Sequence, residues 1–200
     1  ARCHGERHLQ NSMTRLILAS ASPRRRQLLD QIGVTPDAVQ PADIDETPRE
    51  GERPRAYAER LGIEKAQAVH QSGQYTLAGD TVVALGRRIL PKAETEQEVR
   101  DCLALVSGRA HHVMTSVCLI GPDGAMAHRL SDTRVIVKRL SLSEVDAYIA
   151  SGEGIGKAGG YAIQGLFGAH IKQISGSYTG VMGLPVHAAA QLLNGLGYRL

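Results

Sequence analysis

Serines and arginines cluster at the start of the first helix that the sequence predicts. The segment SASPRRR places the hydroxyls of Ser20 and Ser22 beside Arg24 and Arg25, with Ser22 able to cap the helix and Pro23 at its first position. Each exposed arginine at a helix N-terminus costs about 0.3–1 kcal/mol unless a negative group lies nearby. Hydroxyl, backbone N–H and guanidinium groups are donors to phosphate oxygens. The segment therefore predicts a phosphate site; a solvated basic helix end is the alternative.

A carboxylate interrupts an otherwise apolar predicted strand, LAGDTVVAL. Because burying an isolated charge is costly, Asp80 must be paired, bound to a metal or functional. A structural ion pair with a lysine is the alternative to a role in catalysis. A polar loop offers Asp43, Asp45 and Glu46, and Asp80 with one of these acids could hold a magnesium ion that also contacts phosphate oxygens.

A lysine lies on the apolar face of a later predicted helix. Tyr57, Leu61, Lys65 and Val69 are spaced four residues apart, so Lys65 falls in the apolar stripe. A lysine that snorkels from the edge of the core is the alternative to a functional one.

The segment 156–185 is rich in glycine, which lets backbone approach a ligand closely. It carries Lys157, Gln164, Ser177 and Tyr178 as candidate ligand contacts. Glycine-rich surface loops without a ligand are the alternative interpretation.

Strands and helices alternate along the chain, which predicts an α/β fold with a mixed twisted sheet flanked by helices. We predict strands over 16–19, 76–85, 112–120 and 134–139, and helices over 23–32, 54–70, 96–106, 143–150 and 185–194. The third of these helices begins with Thr95 and Glu98 in a capping box and has Gly108 just past its end. We interpret His111 and His112 as ordinary residues, because alternation in a strand sends them to opposite faces.

Composition excludes several classes of protein. The chain has 200 residues, of which 42% are hydrophobic, so it can bury a core. Acidic and basic residues are interspersed, which argues against a nucleic-acid arm, and no apolar run approaches the roughly 18 residues of a membrane helix. The cysteines, Cys3, Cys102 and Cys118, are odd in number and unpaired in spacing, which favours reduced thiols in a cytoplasmic protein.

The first residues show no periodicity. We interpret residues 1–12 as an extension and residues 13–200 as a single domain, with Met13 as the natural start. A metal site built from the cysteine and histidines of the extension is the alternative.

Eight segments, in this order, resemble the Maf family of nucleoside triphosphate pyrophosphatases: LILASASPRRRQLL, DIDETP, ERLGIEKA, AGDTVV, GRRILPKA, SGRAHHVMT, GYAIQG and ISGSYTGVMGLP. The resemblance covers nearly everything from Met13 onward. It implies a two-lobed fold related to the inosine triphosphatases, a nucleotide in the cleft, a divalent cation (Mg²⁺, Mn²⁺ or Co²⁺) and a homodimer. The implied reaction cleaves a nucleoside triphosphate between its α and β phosphates, giving the monophosphate and pyrophosphate.

The resemblance also implies roles for individual residues. It makes Asp80 of AGDT the proton acceptor, with Glu46 as its partner in metal binding. It places three residues at the specificity positions of the dTTP/UTP branch: Arg24, Thr81 and Gln164. It assigns Lys65 and Lys92 to catalysis beside the phosphates. It also places four further residues around the phosphates: Ser20, Ser22, Arg25 and Lys157.

Two short segments separate the branches of the family. The branch that acts on 7-methyl-GTP resembles GSDQ and SEG where this sequence reads AGDT and IQG, which favours dTTP and UTP here. In one departure, Lys92 is followed by Ala93 and preceded by Pro91, whereas the family usually has Lys-Pro. The alternative function is a non-catalytic, nucleotide-binding regulator of septum formation. Such a protein would not need the carboxylates and lysines that are present here, so these residues favour the enzyme: Asp80, Glu46, Lys65 and Lys92.

Overall fold

Residues 14–200 are described by a computed structural model. The predicted extension over residues 1–12, the predicted start at Met13 and the thiol of Cys3 lie outside the described residues. No helix of the described part combines the length and the hydrophobicity that crossing a bilayer requires.

Helices and strands alternate through the described residues. The strands are β1 (Leu16–Ala19), β2 (Ala38–Val39), β3 (Tyr75–Leu85), β4 (Arg88–Leu90), β5 (Lys92–Ala93), β6 (Ala110–Ile120), β7 (Met126–Val137), β8 (Lys157–Ala158) and β9 (Ile171–Ser175). The helices are α1 (Pro23–Gln31), α2 (Pro54–Val69), α3 (Glu96–Val106), α4 (Leu142–Ala150), α5 (Tyr178–Met182) and α6 (Val186–Gly195), with a 3₁₀ turn over Leu166–His170.

The main sheet is mixed, as the alternation predicted. Its order is β2-β1-β3-β6-β7-β9, and β4 pairs with β3 beside this path. The short strand β1 runs parallel to β2 and β3, while the long strands β3, β6 and β7 pair antiparallel. A second, two-stranded sheet joins β5 to β8.

The long strands β3 and β6 take part in three hydrophobic clusters, two on one face of the sheet and one on the other. Near the start of β3, Leu77 packs in a cluster with residues of β1, α1 and α6. Near its end, Val83 packs with Val113 of β6 and with residues of α3 and α4. On the opposite face of the sheet, Ala66 of α2 packs near Ala78. The two-lobed α/β prediction is confirmed.

Some elements extend beyond the predicted pattern. β7 begins at Met126, well before the predicted residue 134, because residues 126–133 form backbone hydrogen bonds with β6 while most of their side chains stay outside the core. β9 and α5 fall inside the segment that glycine content marked as loop. A strand whose faces are mostly exposed carries no hydrophobic alternation.

The helix starts divide into two kinds. The capping box of α3 is formed as predicted, with the Glu98 amide donating to Thr95 Oγ1 over 3.2 Å. Ser22 occupies the N-cap position of α1, but its side chain makes no capping hydrogen bond, so that prediction is wrong. The Ser22 amide instead donates to Ser20 Oγ over 3.1 Å, which draws Ser20 under the start of the helix.

Candidate active site

A cleft of about 1050 Å³ is lined by residues of α1, α2, β3, β5 and β8 and of the loops beside them. Most of the residues that the sequence assigned to the site line it: Ser20, Ser22, Arg24, Arg25, Glu46, Lys65, Asp80, Thr81, Lys92, Lys157 and Gln164. The alternative acids Asp43 and Asp45 are not among its lining residues. Two other candidates are not among its lining residues. Ser177 caps α5 by accepting from the Gly180 amide over 2.9 Å, and Tyr178 is exposed, so ligand contacts from these two stay a prediction.

Asp80 is buried, with 7% of its surface exposed, and it is paired. Lys65 Nζ lies 2.6 Å from Asp80 Oδ1 and 2.8 Å from Glu46 Oε1. The Glu46 side chain is about half exposed, and its backbone oxygen accepts a hydrogen bond of 2.6 Å from Tyr57. The ion pair that was the alternative interpretation of Asp80 therefore exists, and it stands in the wall of the cleft.

A glycine places Lys65 beside Asp80. A Cβ added at Gly62 would lie 2.3 Å from Ser116 Oγ, so α2 approaches β6 more closely than any side chain would permit. Ser116 is the register partner of Asp80. Lys65 follows Gly62 by three residues and falls on the same face of the helix, over the carboxylate. The prediction that Lys65 lies in the apolar stripe is confirmed.

Arg25 is held by neutral acceptors rather than by a carboxylate. Its Nε donates to the Gly183 carbonyl over 2.8 Å, Nη1 to Ser20 Oγ over 2.9 Å and Nη2 to Thr81 Oγ1 over 3.3 Å. Gly79 lies against both the guanidinium and β6, since a Cβ there would stand 3.4 Å from Arg25 Nε and 3.0 Å from the Ser116 carbonyl oxygen. Burial lowers the pKa of the Arg25 guanidinium, and the nearby carboxylate of Asp80 acts in the other direction.

Thr81 points to the face opposite Asp80, as strand alternation requires. Its Oγ1 lies 3.0 Å from Thr115 Oγ1, and Thr115 donates to the Gly180 carbonyl over 2.7 Å. The Thr115 proton is thus committed, so Thr81 donates to Thr115 and accepts from Arg25. Sequence reasoning missed Thr115, although its register partner is Thr81.

Three further cations line the cleft, Arg24, Lys92 and Lys157, and within residues 14–200 none of them forms an ion pair with a buried carboxylate. β5 and β8 pair side by side, which brings Lys92 and Lys157 to neighbouring positions. Burial lowers the pKa of Lys157, and the charge of Arg24 lowers it further. Lys92 has only an exposed contact of 3.4 Å with Glu94. These cations repel one another, which an anionic ligand relieves.

The site offers two carboxylates to a metal ion. Glu46 and Asp80 meet at the same ammonium group, and no group of three His, Cys, Asp or Glu suited to a metal occurs within residues 14–200. Oxygen ligands suit Mg²⁺, which usually fills its remaining positions with water and phosphate oxygens. The donor set therefore fits a divalent cation that arrives with a nucleotide.

The histidine pair and the free thiols have other environments. His111 and His112 face opposite sides of β6, as predicted: His111 is buried 2.7 Å from the Tyr161 hydroxyl, and His112 lies 2.7 Å from Asp132. The thiols of Cys102 and Cys118 are free and buried, and burial raises their pKa values to about 11 and about 12.

Comparison with known proteins identifies relatives along nearly the whole chain. The sequence model described as Maf-like protein matches residues 15–196. A dTTP/UTP pyrophosphatase of Caulobacter vibrioides is 60% identical over 186 residues, covering 92% of this chain and 96% of that protein. A dTTP/UTP pyrophosphatase of Brucella abortus is 52% identical over 196 residues, covering 94% of each chain. Among solved structures, a HAM1 protein from Coxiella burnetii aligns with a TM-score of 0.48 at 18% identity, covering 94% of this chain and 100% of that chain.

Proposed function

The chain belongs to the Maf family, and from that premise we propose that it hydrolyses nucleoside triphosphates to the monophosphate and pyrophosphate, with dTTP and UTP preferred. The observation that carries the proposal is the cleft itself, which is lined by the buried carboxylate of Asp80 and by several cations. Relatives named dTTP/UTP pyrophosphatase at 60% and 52% identity support the choice of substrates.

The cations bind the triphosphate. Arg24, Lys92 and Lys157 bring positive charges close together, which lowers the pKa of Lys157 further than burial alone, and a triphosphate supplies the matching negative charge. Ser20 and Ser22 stand at the start of α1, where backbone N–H groups and the helix dipole also favour an anion. The arginines that are unfavourable at this helix start therefore become favourable once substrate is bound.

Asp80 activates the attacking water in this proposal. The carboxylate takes or orients the proton of a water molecule, whose oxygen forms a bond to the α-phosphorus as the bond to the bridging oxygen breaks. Pyrophosphate leaves with the electrons of that bond. Lys65 fixes the Asp80 carboxylate at 2.6 Å, and Lys92 and Arg25 stabilise the charge that develops on the phosphates.

Glu46 and Asp80 would hold a divalent cation together with phosphate oxygens. Bound there, Mg²⁺, Mn²⁺ or Co²⁺ would supply further stabilisation of phosphate charge. The support for this cofactor is the pair of carboxylates that meet at Lys65.

Gln164 reads the base. It is exposed at the cleft, in the segment before the 3₁₀ turn, and its amide offers a donor and an acceptor side by side. Thymine and uracil present N3–H between two carbonyls, which such an amide matches. Thr81 contributes through Arg25, from which its hydroxyl accepts a hydrogen bond while donating its proton to Thr115.

We further propose that the enzyme acts in the cytoplasm as a homodimer and has no nucleic-acid partner. The free thiols of Cys102 and Cys118 support a reducing compartment. The homodimer rests on the family resemblance, and light scattering with size-exclusion chromatography tests it.

Pyrophosphate release from a panel of triphosphates tests the reaction. The panel contains dTTP, UTP, CTP, ATP, GTP and 7-methyl-GTP, each with Mg²⁺, Mn²⁺ or Co²⁺ and with a chelator. We expect pyrophosphate from dTTP and UTP in the presence of metal and none with the chelator. A protein that binds these nucleotides yet releases no pyrophosphate under any condition would instead be the binding regulator.

A further inference from the structure

The segment that carries Gln164 is held at both of its ends by side chains from outside it. At one end, the Ala162 amide donates to the Tyr148 hydroxyl over 3.2 Å. At the other end, the Leu166 amide donates to Glu153 Oε2 over 2.8 Å, and a longer contact of 3.4 Å joins the next amide to Oε1. The backbone on each side of Gln164 is therefore fixed.

The two side chains that hold the segment are bonded to each other. The Tyr148 hydroxyl donates to Glu153 Oε1 over 3.0 Å, so its proton goes to the carboxylate while its lone pair accepts from Ala162. Tyr148 projects from α4 into the core, with 3% of its surface exposed, and burial raises the pKa of its phenol. We call this pair the Tyr148–Glu153 clamp.

A glycine next to Gln164 admits the clamp. A Cβ at Gly165 would lie 2.1 Å from Glu153 Oε2, so any other residue would push the carboxylate away from the amides that it accepts from. Glu153 itself lines the cleft, and Tyr148 packs against Phe167 with ring centroids 5.1 Å apart. The clamp thus joins α4, the glycine-rich loop and the cleft wall at one point.

We propose that Tyr148 and Glu153 are positioning residues for base selection, fixing where the Gln164 amide meets the pyrimidine edge. The inference rests on the proposed function and deepens it. UTP and CTP differ only at N3 and at the substituent on C4, so the Gln164 amide must distinguish them by hydrogen bonding. It does so better when the backbone that carries it is held in one place than when that backbone can shift. The triphosphate is bound mainly by α1, β5 and β8, outside the clamped segment.

Tyr148→Phe is the main test, because it retains the ring that packs on Phe167 and removes only the hydroxyl. Glu153→Gln tests the other half of the clamp, although Glu153 also influences the pKa of Lys157. Asp146→Asn is the matched control, since it removes an exposed α4 carboxylate that pairs only with Arg100. Thermal melting establishes that each variant is folded.

The measurements are kcat/KM for UTP and for CTP, and the inhibition constant of inorganic tripolyphosphate, which has no base. We expect the UTP-to-CTP ratio to fall at least about fivefold in Tyr148→Phe and in Glu153→Gln, the lower range for one misplaced hydrogen bond to a substrate. Tripolyphosphate inhibition should be unchanged in Tyr148→Phe. The double variant should lose little more than either single variant, because the two residues form one clamp.

Two results would overturn the clamp's role in selectivity. One is an unchanged ratio in the folded variants. The other is an equal loss for both nucleotides together with weaker tripolyphosphate inhibition, which marks a general effect on the cleft. If the wild type hydrolyses neither nucleotide, the proposed reaction fails separately, and calorimetric dissociation constants for UTP and CTP test the clamp in the same variants. Equal constants for the two nucleotides in the wild type would then reject the clamp as well.

Discussion

Lys65 bridges Asp80 and Glu46, with its Nζ 2.6 Å from one carboxylate and 2.8 Å from the other. The ammonium group thereby connects a buried strand position to a loop carboxylate that is about half exposed. Removing either member of a buried ion pair leaves the other charge without compensation, so Asp80 and Lys65 behave as a unit. Substitutions at either position must be judged for folding as well as for turnover.

Asp80→Asn retains the shape of the side chain and removes its charge. We expect kcat for pyrophosphate release from UTP to fall at least about 100-fold, the usual loss for an acid–base group, while the melting transition stays cooperative. Asp132→Asn is the control, because it changes an exposed carboxylate paired with His112 outside the cleft. Near wild-type turnover by Asp80→Asn would contradict the role of Asp80.

Arg24 and Arg25 should differ in their effect on the protein without nucleotide. The helix dipole alone predicts that removing either arginine leaves the free energy of unfolding equal or higher. Arg25→Ala, however, leaves the Gly183 carbonyl and two hydroxyls without their donor, so we expect a loss of about 1–3 kcal/mol. Arg24→Ala should show no loss. Urea denaturation measures both, with the exposed Arg26→Ala as control, and equal losses for the two variants would refute the distinction.

Gln164→Glu should change the preferred base. A carboxylate cannot donate to the carbonyls of uracil or thymine, and it suits the positive charge of 7-methylguanine. We expect kcat/KM for dTTP and UTP to fall relative to kcat/KM for 7-methyl-GTP, and the change in this ratio should correspond to about 1–3 kcal/mol. Adding Thr81→Gln, which reproduces the other branch, should extend the change by altering the partner of Arg25. A wild type that prefers 7-methyl-GTP would reject the branch assignment.

His111 should make stability depend on pH below neutrality. Burial lowers its pKa from 6.5 to about 4, so between these values the unfolded chain binds a proton that the folded protein does not. Stability therefore falls as the pH falls from 6.5 to about 4, by about 3 kcal/mol in total.

The measurement is the free energy of unfolding in urea at several pH values. His111→Phe should lose stability at neutral pH, because Tyr161 loses its hydrogen-bond partner, but should show a flatter dependence on pH. His128→Gln, at an exposed position, should keep the wild-type dependence. Parallel curves for wild type and His111→Phe would show that another group is responsible.

The sequence predicts those parts of the fold that depend on local patterns. The start of α3 follows from Thr95 and Glu98, and Lys65 is visible because it breaks a four-residue apolar spacing. The segment that we propose binds phosphate is visible because its three arginines are unfavourable at the positive end of a helix dipole. Each of these signals lies within one helix, so no knowledge of tertiary packing is needed.

Other contacts depend on how distant elements meet, which the sequence alone does not specify. Thr115 becomes relevant only through its register with Thr81, and Glu153 only through the return of the chain at Leu166. The sequence also predicts one contact that does not form: Ser22 is at the N-cap of α1, but its side chain makes no capping hydrogen bond, and its amide donates to Ser20 Oγ. Tertiary geometry decides between local hydrogen bonds of similar strength.

The strands β3 and β6 cross from one core to the other without a break, and this limits how the cleft can open. Between Leu77 in one core and Val83 in the other, no loop interrupts the ladder that β3 forms with β6. Rotation of the lobes must therefore twist a hydrogen-bonded ribbon instead of swinging about a flexible joint. We therefore expect the charged walls of the cleft to keep their spacing when a nucleotide binds, so that little affinity is lost to closure.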